Sequence, residues 1–381
     1  MKRFDTKSVQ LSIKNTNKIN SKVTPIYQTT AFKFSDLDDL EKFYQGEQDY
    51  LYSRVGNPNT DELGQAVAQL EDATDGIATS SGLSAILIGI LAVAKSGDHI
   101  IAATDIYGGT YQLLAKELKD FGIDVSFVDF TQPKEIEACI RENTRLLYTE
   151  SITNPLLRVE DLDRIVSMAK EYQLYTMIDN TFATPYLCQP YHKGINLVVH
   201  SATKYLAGHS DVTAGVLVGE KELIEKAREK AVNIGTNLSP FDAWLAVRGI
   251  KTLSVRMERH NANAQKLSNK LSQHRAVSKV YYPKYVTPKG NGAIVSIDLT
   301  NYCNMELFFK SLQWVKIVPT LAGVETSVSY PIATSHRALP KHVQDELQIT
   351  EGLVRISVGI EDAEDIIEAF EYAIESSVIT K

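Results

Sequence analysis

Three short segments of this 381-residue chain carry side chains that can do chemistry. The first is Ser80-Ser81-Gly82-Leu83-Ser84, just ahead of an apolar run through residues 85–94. Small residues that open a helix present free backbone N–H groups and the positive end of the helix dipole, which suits a phosphate. A serine there can equally be an ordinary helix cap. The second is Ile178-Asp179-Asn180-Thr181, where a carboxylate follows an apolar stretch. Such a carboxylate can keep a ring nitrogen protonated, bind a metal, or cap the next helix. The third is His200-Ser201-Ala202-Thr203-Lys204. Most lysines are solvated charges. One that is buried, or set beside another cation, has a lowered pKa and becomes an amine nucleophile for a carbonyl. Ser201 and Thr203 offer two hydroxyls that could also hold a phosphate.

These segments need a frame that gathers them. From about residue 60, short β-branched runs at 99–104, 124–130, 144–150, 174–179, 196–200 and 214–218 read as strands. Helical periodicity falls between most of them, at 111–121 and 159–172 for example. Strand, helix, strand in that rhythm predicts a mainly parallel sheet covered on both faces, an α/β fold. In such sheets ligands bind outside the carboxyl ends of the strands, where Asp179 and Lys204 fall. The first fifty residues are polar and turn-rich and read as an arm. A helical, charge-rich stretch at 239–274 leads to a smaller C-terminal α/β unit, with strands near 292–299 and 353–358, a loop at 281–290 and a last helix at 363–376. The divisions expected are an arm at 1–58, a large domain at 59–245 and a small domain at 246–381.

Composition narrows the classes. Lys+Arg 40 against Asp+Glu 47 leaves a net charge of -7, which argues against a general binder of nucleic acid or anionic membrane. The apolar run at 85–94 is far short of the ~20 residues of a membrane helix. Met1-Lys2-Arg3-Phe4-Asp5 is not followed by an apolar core, so no signal peptide is read. Cys139, Cys188 and Cys303 stand far apart, as suits a reducing cytoplasm. The eight histidines show no ligand spacing, so no metal is expected, and His200 and His336 read as structural. No G-x-G-x-x-G follows a strand, which disfavours a nucleotide-dependent oxidoreductase.

Singly, the three segments are weak signals. Together they fit one ligand with a phosphate, a basic ring nitrogen and an aldehyde, namely pyridoxal 5'-phosphate. The chain then resembles the Cys/Met-metabolism family of pyridoxal-phosphate enzymes over nearly its whole length. The likeness rests on Thr24-Pro25-Ile26-Tyr27-Gln28-Thr29, Tyr52-Ser53-Arg54 with Gly56-Asn57-Pro58, Ser80-Ser81-Gly82, and Asp105-Ile106-Tyr107-Gly108-Gly109-Thr110. It continues through Asn154-Pro155, Asp179-Asn180-Thr181, Ser201-Ala202-Thr203-Lys204-Tyr205, Arg248-Gly249, Arg256-Met257, Val354-Arg355-Ile356-Ser357 and Gly359-Ile360-Glu361-Asp362.

The resemblance implies an aspartate-aminotransferase-like (type I) fold and a set of roles. Lys204 matches the Schiff-base lysine and proton shuttle, and Asp179 the partner of the ring nitrogen. Tyr107 matches the stacking tyrosine that also helps move protons. Ser81, Gly82, Leu83, Thr181, Ser201 and Thr203 belong to the cofactor's surroundings, chiefly its phosphate. Tyr52 and Arg54 match residues that reach the phosphate from a neighbouring subunit, which implies a homo-oligomer, a dimer or dimer of dimers with shared sites. Arg355 matches the clamp on the substrate α-carboxylate, where a planar fork suits a planar anion. Asn154 lies near the cofactor hydroxyl or that carboxylate.

The implied activity is γ-replacement or γ-elimination on an O-acyl-homoserine or on cystathionine. O-acetylhomoserine sulfhydrylase and cystathionine β-lyase are the alternatives, and a non-catalytic protein on the same fold is disfavoured because Lys204, Asp179, Tyr107 and Arg355 are all retained. Some positions depart from the family's patterns. Gly109 stands where methionine γ-lyases usually carry a cysteine, which demotes that activity. Glu325 resembles the acidic residue of γ-synthases and γ-lyases, where it could hold a distal ammonium. Leu51 replaces a second acidic residue of many cystathionine enzymes, Asn59 a threonine, and Thr320 a serine. The stretch 283–292 is short.

Overall fold

The alternating strands and helices fold into two sheets. A computed structural model of the chain describes residues 2–11, 21–284, 286–337 and 341–379. The first sheet contains β1 (Asp75–Thr79), β2 (His99–Ala103), β3 (Asp124–Val128), β4 (Thr144–Glu150), β5 (Tyr175–Asp179), β6 (Leu197–His200) and β7 (Gly215–Gly219). Their order across the sheet is β1-β7-β6-β5-β4-β2-β3, and only β7 runs against its neighbours. Strands β2, β6 and β7 are buried along their whole length, as a sheet covered on both faces requires.

The second sheet contains β8 (Val277–Tyr281), β9 (Ile294–Leu299), β10 (Lys316–Ile317), β11 (Ser327–Ser329) and β12 (Leu353–Ser357), in the order β10-β11-β12-β9-β8. Helix Leu253–Leu271 joins the two halves. Its Leu253 and Met257 sit in the core of the first sheet, and its Ala264, Leu267 and Leu271 in that of the second. The type I fold and mainly parallel central sheet expected from the sequence are therefore present.

Several boundaries differ from the sequence reading. Strand β1 was not anticipated, because Asp-Gly-Ile-Ala-Thr has one large apolar residue. Strand β8 takes in Tyr281, where a loop was expected, and β10 and β11 are too short to leave a periodic signal. The stretch 239–274 is two helices, Pro240–Ile250 and Leu253–Leu271. The helix expected at 111–121 begins earlier, at Gly108, and widens into a π turn over Leu113–Glu117. The helix expected at 159–172 spans only Leu162–Glu171, since Val159 is bridged to Ile152 and Asp161 caps the helix by accepting from the Arg164 N–H.

The arm is tied to its own chain. Phe4, in helix Phe4–Val9, packs edge-on against Tyr186 at 5.5 Å, and Lys289 of the short 283–292 stretch lies over both rings. Asn59 accepts from the Tyr27 N–H at 2.8 Å and donates to the Pro25 carbonyl at 2.9 Å. The amide accepts through its oxygen and donates through its nitrogen, so separate atoms tie Tyr27 and Pro25 of the arm to this residue. Helix Leu37–Tyr44 buries none of its residues in this chain. Among the described residues, no helix is long and apolar enough to cross a membrane.

Candidate active site

Four strand ends and one helix start converge on a cleft of about 240 Å³. Helix Gly82–Val93 supplies its N-terminus. Ser81 caps the helix, its hydroxyl accepting from the Ser84 N–H at 3.1 Å, while the first-turn N–H groups of Gly82 and Leu83 have no acceptor within the helix. Gly82 sits hard against β6, since a Cβ there would lie 2.9 Å from the Ser201 Cβ. That close approach brings the helix start and the Ser201 hydroxyl to one corner of the cleft, where Thr203 also opens. Backbone N–H groups, a helix dipole and hydroxyls in one corner are groups that could cradle a phosphate.

Asp179 ends β5 at the floor. Its carboxylate accepts from the Thr181 N–H at 2.9 Å, and the Thr181 hydroxyl accepts in turn from the Ser201 N–H at 2.8 Å. Burial pushes the Asp179 carboxyl above its usual range, against the Thr181 hydrogen bonds and His200. A cationic ring nitrogen placed against it would reverse that shift.

Lys204 lies in the turn after β6. Its Nζ donates to the Thr320 hydroxyl at 2.8 Å, and burial, aided by the Arg355 charge, lowers its pKa to about 8. Arg256 braces this turn by donating to the carbonyls of Tyr205 at 2.7 Å, Leu206 at 3.3 Å and Gly249 at 2.8 Å. Arg355, on β12, is 2% exposed and donates to the Asn154 side-chain oxygen at 2.9 Å. Burial lowers the Arg355 pKa only to about 10, so it remains cationic near neutrality. His336 contacts the Asn154 carbonyl at 3.2 Å, and burial beside Arg355 lowers its pKa to about 4, leaving it neutral. Tyr107 lines the mouth, 41% exposed.

The cleft thus gathers Ser81, Gly82, Leu83, Tyr107, Asn154, Asp179, Thr181, Ser201, Thr203, Lys204 and Arg355, with Thr320 on the Lys204 amine. Three expected residues lie elsewhere. Tyr52 and Arg54 face a separate depression, where Arg54 donates to the Val232 carbonyl at 3.0 Å and stacks on Tyr52 at 5.5 Å. Glu325 pairs with Lys316 at 2.8 Å, and that hydrogen bond lowers its pKa. Glu150 lines the cleft without having been singled out in the sequence. It ends β4 as Asp179 ends β5, and only the register of the two strands sets it beside Asp179. Among the described residues, no three His, Cys, Asp or Glu side chains gather as a metal site.

A lysine amine, a floor carboxylate and a phosphate cradle in one buried cleft fit pyridoxal phosphate. Comparisons with known proteins agree. Residues 5–375 match the family described as "Cys/Met metabolism PLP-dependent enzyme". A cystathionine β-lyase of Lactococcus lactis is 40% identical, over 98% of this chain and all of that one. A cystathionine γ-lyase of Bacillus subtilis is 40% identical, over 92% of this chain and 94% of that one. A Campylobacter jejuni protein assigned as an O-acetylhomoserine (thiol)-lyase, 29% identical, superposes with a TM-score of 0.93 over 98% of this chain and all of that one, and its structure carries N'-pyridoxyl-lysine-5'-monophosphate. The chain is therefore a pyridoxal-phosphate enzyme and belongs to the Cys/Met metabolism family of PLP-dependent enzymes.

Proposed function

We propose that the chain is a lyase that cleaves a carbon–sulfur bond of cystathionine by γ-elimination, releasing cysteine, 2-oxobutanoate and ammonia. One observation carries the reading: Lys204 and Arg355 share a buried cleft with Asp179, so an amine base and a carboxylate clamp face one α-amino acid. Pyridoxal phosphate, when bound, supplies the electron sink for a carbanion at the substrate α-carbon. Gly82, Leu83, Ser201 and Thr203 hold its phosphate, with Ser81 and Thr181 shaping that corner, and Asp179 keeps its ring nitrogen protonated.

Lys204, with its pKa near 8, is partly unprotonated near neutral pH and takes and returns protons at the substrate's α- and β-carbons. Thr320 aims that amine. Arg355 holds the α-carboxylate, and Asn154 fixes the plane of the guanidinium. Tyr107 covers the mouth and limits water. Tyr52 and Arg54 serve the phosphate of a neighbouring subunit in a dimer or dimer of dimers. The arm at 1–58, the cofactor-binding part at 59–245 and the small part at 246–381 divide this work, and the enzyme acts in the cytoplasm. Glu325 is a distal-ammonium partner only after Lys316 yields it.

A second reading is β-elimination, giving pyruvate, ammonia and homocysteine. It is favoured by the 40% identity to the Lactococcus lactis cystathionine β-lyase over 98% of this chain. A panel of cystathionine, O-acetylhomoserine, O-succinylhomoserine, methionine and cysteine, with products identified, decides between them. 2-Oxobutanoate from cystathionine supports the first reading, and pyruvate as the main product replaces it with the second. Failure to cleave any thioether overturns both.

A further inference from the structure

Two carboxylates, not one, meet at the floor of the cleft. Glu150 at the end of β4 is the register partner of Asp179 at the end of β5. Registered residues of parallel strands point to the same face, about 4.8 Å apart. Both line the Lys204 cleft, and Glu150 is 5% exposed. Glu150 Oε1 accepts the Tyr107 N–H at 2.7 Å. That bond fixes the residue from which helix Gly108–Gln112 starts and from which the Tyr107 ring extends.

The surroundings decide the charge of the pair. Tyr148 on β4 and Asp105 before Tyr107 add negative or neutral oxygens beside Glu150, whereas Arg158 and Arg355 are the nearby cations. Arg158 is already taken by a two-pronged hydrogen bond to Asp105, at 2.8 Å on each arm, and by Glu160 at 2.9 Å. Two carboxylates at register positions in a dry cleft oppose each other's ionisation, so one of them favours the neutral form. Burial, then the charge of Asp179, raises the Glu150 carboxyl well above its usual range.

We propose that Glu150 is a positioning residue that works as a neutral acid: it keeps the proton that Asp179 gives up when a cationic ring nitrogen is bound, and its carbonyl oxygen pins the backbone of Tyr107 over the cleft. The neutral form is the useful one. A second fixed anion would draw the ring's positive charge away from Asp179. A side chain without an acceptor would leave the Tyr107 N–H without its protein partner. The proposal rests on the reading of Asp179 given above.

The test compares the wild-type holoenzyme with Glu150→Gln and Glu150→Ala. Cofactor visible absorbance is titrated with pH, kcat and KM for cystathionine cleavage are measured, and circular dichroism reports the fold. Glutamine mimics the neutral acid and keeps the acceptor. Glu150→Gln is expected to leave the absorbance midpoint in place, and Glu150→Ala to lower kcat about tenfold or more, with KM changed less, as Tyr107 drifts. Glutamine should recover most of that loss. A Glu150→Gln midpoint displaced by about one pH unit, as follows when an ionised neighbour is removed, overturns the proposal alone. So does a Glu150→Ala enzyme with wild-type kcat. A wild-type protein with no visible band overturns the reading of Asp179 and Lys204, and this proposal with it.

Discussion

The Lys204 amine donates to the Thr320 hydroxyl at 2.8 Å, and the two residues adjoin different sheets. Lys204 follows β6 of the large sheet, and Thr320 stands between β10 and β11 of the small one. The Lys204 amine is thus aimed by a part of the protein outside the sheet whose strand ends line the cleft. Thr320→Val removes the acceptor while keeping the shape. Hydrogen bonds to charged groups contribute about 1.5–3 kcal/mol, so kcat should fall roughly tenfold to a hundredfold. The ammonium form loses its partner, so the acid limb of the pH–rate profile should move to lower pH. Unchanged kcat and an unmoved limb would show that Thr320 does not aim the amine.

Burial also links Lys204 to stability. In the folded, cofactor-free chain its pKa is about 8, against 10.5 for an ordinary lysine. Between those values the unfolded chain binds more protons, so this group's contribution to stability rises with pH through that window and is at its least favourable below about 8. Lys204→Met removes the penalty. Its urea midpoint without cofactor should exceed that of the wild type near neutral pH, and the gap should narrow as pH rises from about 8 to 10.5. A constant gap across this range would contradict the assignment.

The sequence shows most strands of the central sheet and their mainly parallel arrangement, but not the one strand that reverses. β4 was read with its observed bounds, and β5 and β6 to within a residue, because a β-branched run ending at a polar residue marks a buried strand and its exit. That β7 runs antiparallel is a matter of chain routing, which leaves no trace in local periodicity. The break between Ile250 and Leu253 is also invisible to periodicity, since both sides are amphipathic; it is stabilised from afar by Arg256 on the Gly249 carbonyl. At the site, residues embedded in motifs were found. Glu150 was missed because a carboxylate that ends a strand looks like a cap until its register neighbour is known to be Asp179.

Arg355 and Asn154 are the pair proposed above to clamp the substrate α-carboxylate. The guanidinium is buried and held in plane by the 2.9 Å bond to the Asn154 oxygen. Arg355→Lys keeps the charge but loses the fork, so one of two charge-assisted bonds to the substrate goes. KM for cystathionine should rise about tenfold to a hundredfold, with a smaller change in kcat. A variant whose kcat falls while KM holds would place Arg355 in the chemistry rather than in binding.

Upstream of Tyr107, the turn is stapled by Arg158, whose guanidinium grips Asp105 with two 2.8 Å bonds and Glu160 with one of 2.9 Å. The Glu160 side chain is fully buried, and Arg158 is 22% exposed. Arg158→Ala removes both hydrogen bonds to Asp105 and leaves the buried Glu160 with Arg164, at 3.4 Å, as its remaining cation. Removing one partner of a buried ion pair costs about 3–5 kcal/mol, and the partial exposure of Arg158 puts this case at the low end. The first urea transition should shift to lower concentration, and Tyr107 fluorescence or cofactor quenching should change with it. A midpoint within error of the wild type would mean that the staple contributes nothing net.

Gly109 allows the Tyr107 ring its present place. A Cβ at position 109 would come 2.5 Å from the ring's Cε1 and 3.0 Å from its Cζ. Gly109 is helical and lacks a positive φ, so a side chain strains no backbone there; the conflict is with the ring alone. The ring is 41% exposed and free to swing. Gly109→Cys should therefore leave the melting temperature within about 2 °C, since surface changes of this kind cost little. It should also re-aim Tyr107, altering the cofactor's visible circular dichroism and the ratio of 2-oxobutanoate to pyruvate formed from cystathionine. Adding Tyr107→Phe to the cysteine variant separates ring position from hydroxyl chemistry. If the double variant shows the same altered dichroism as Gly109→Cys, the displaced ring is the cause. If Gly109→Cys alone leaves both dichroism and product ratio unchanged, the contact with Tyr107 has no bearing on the site.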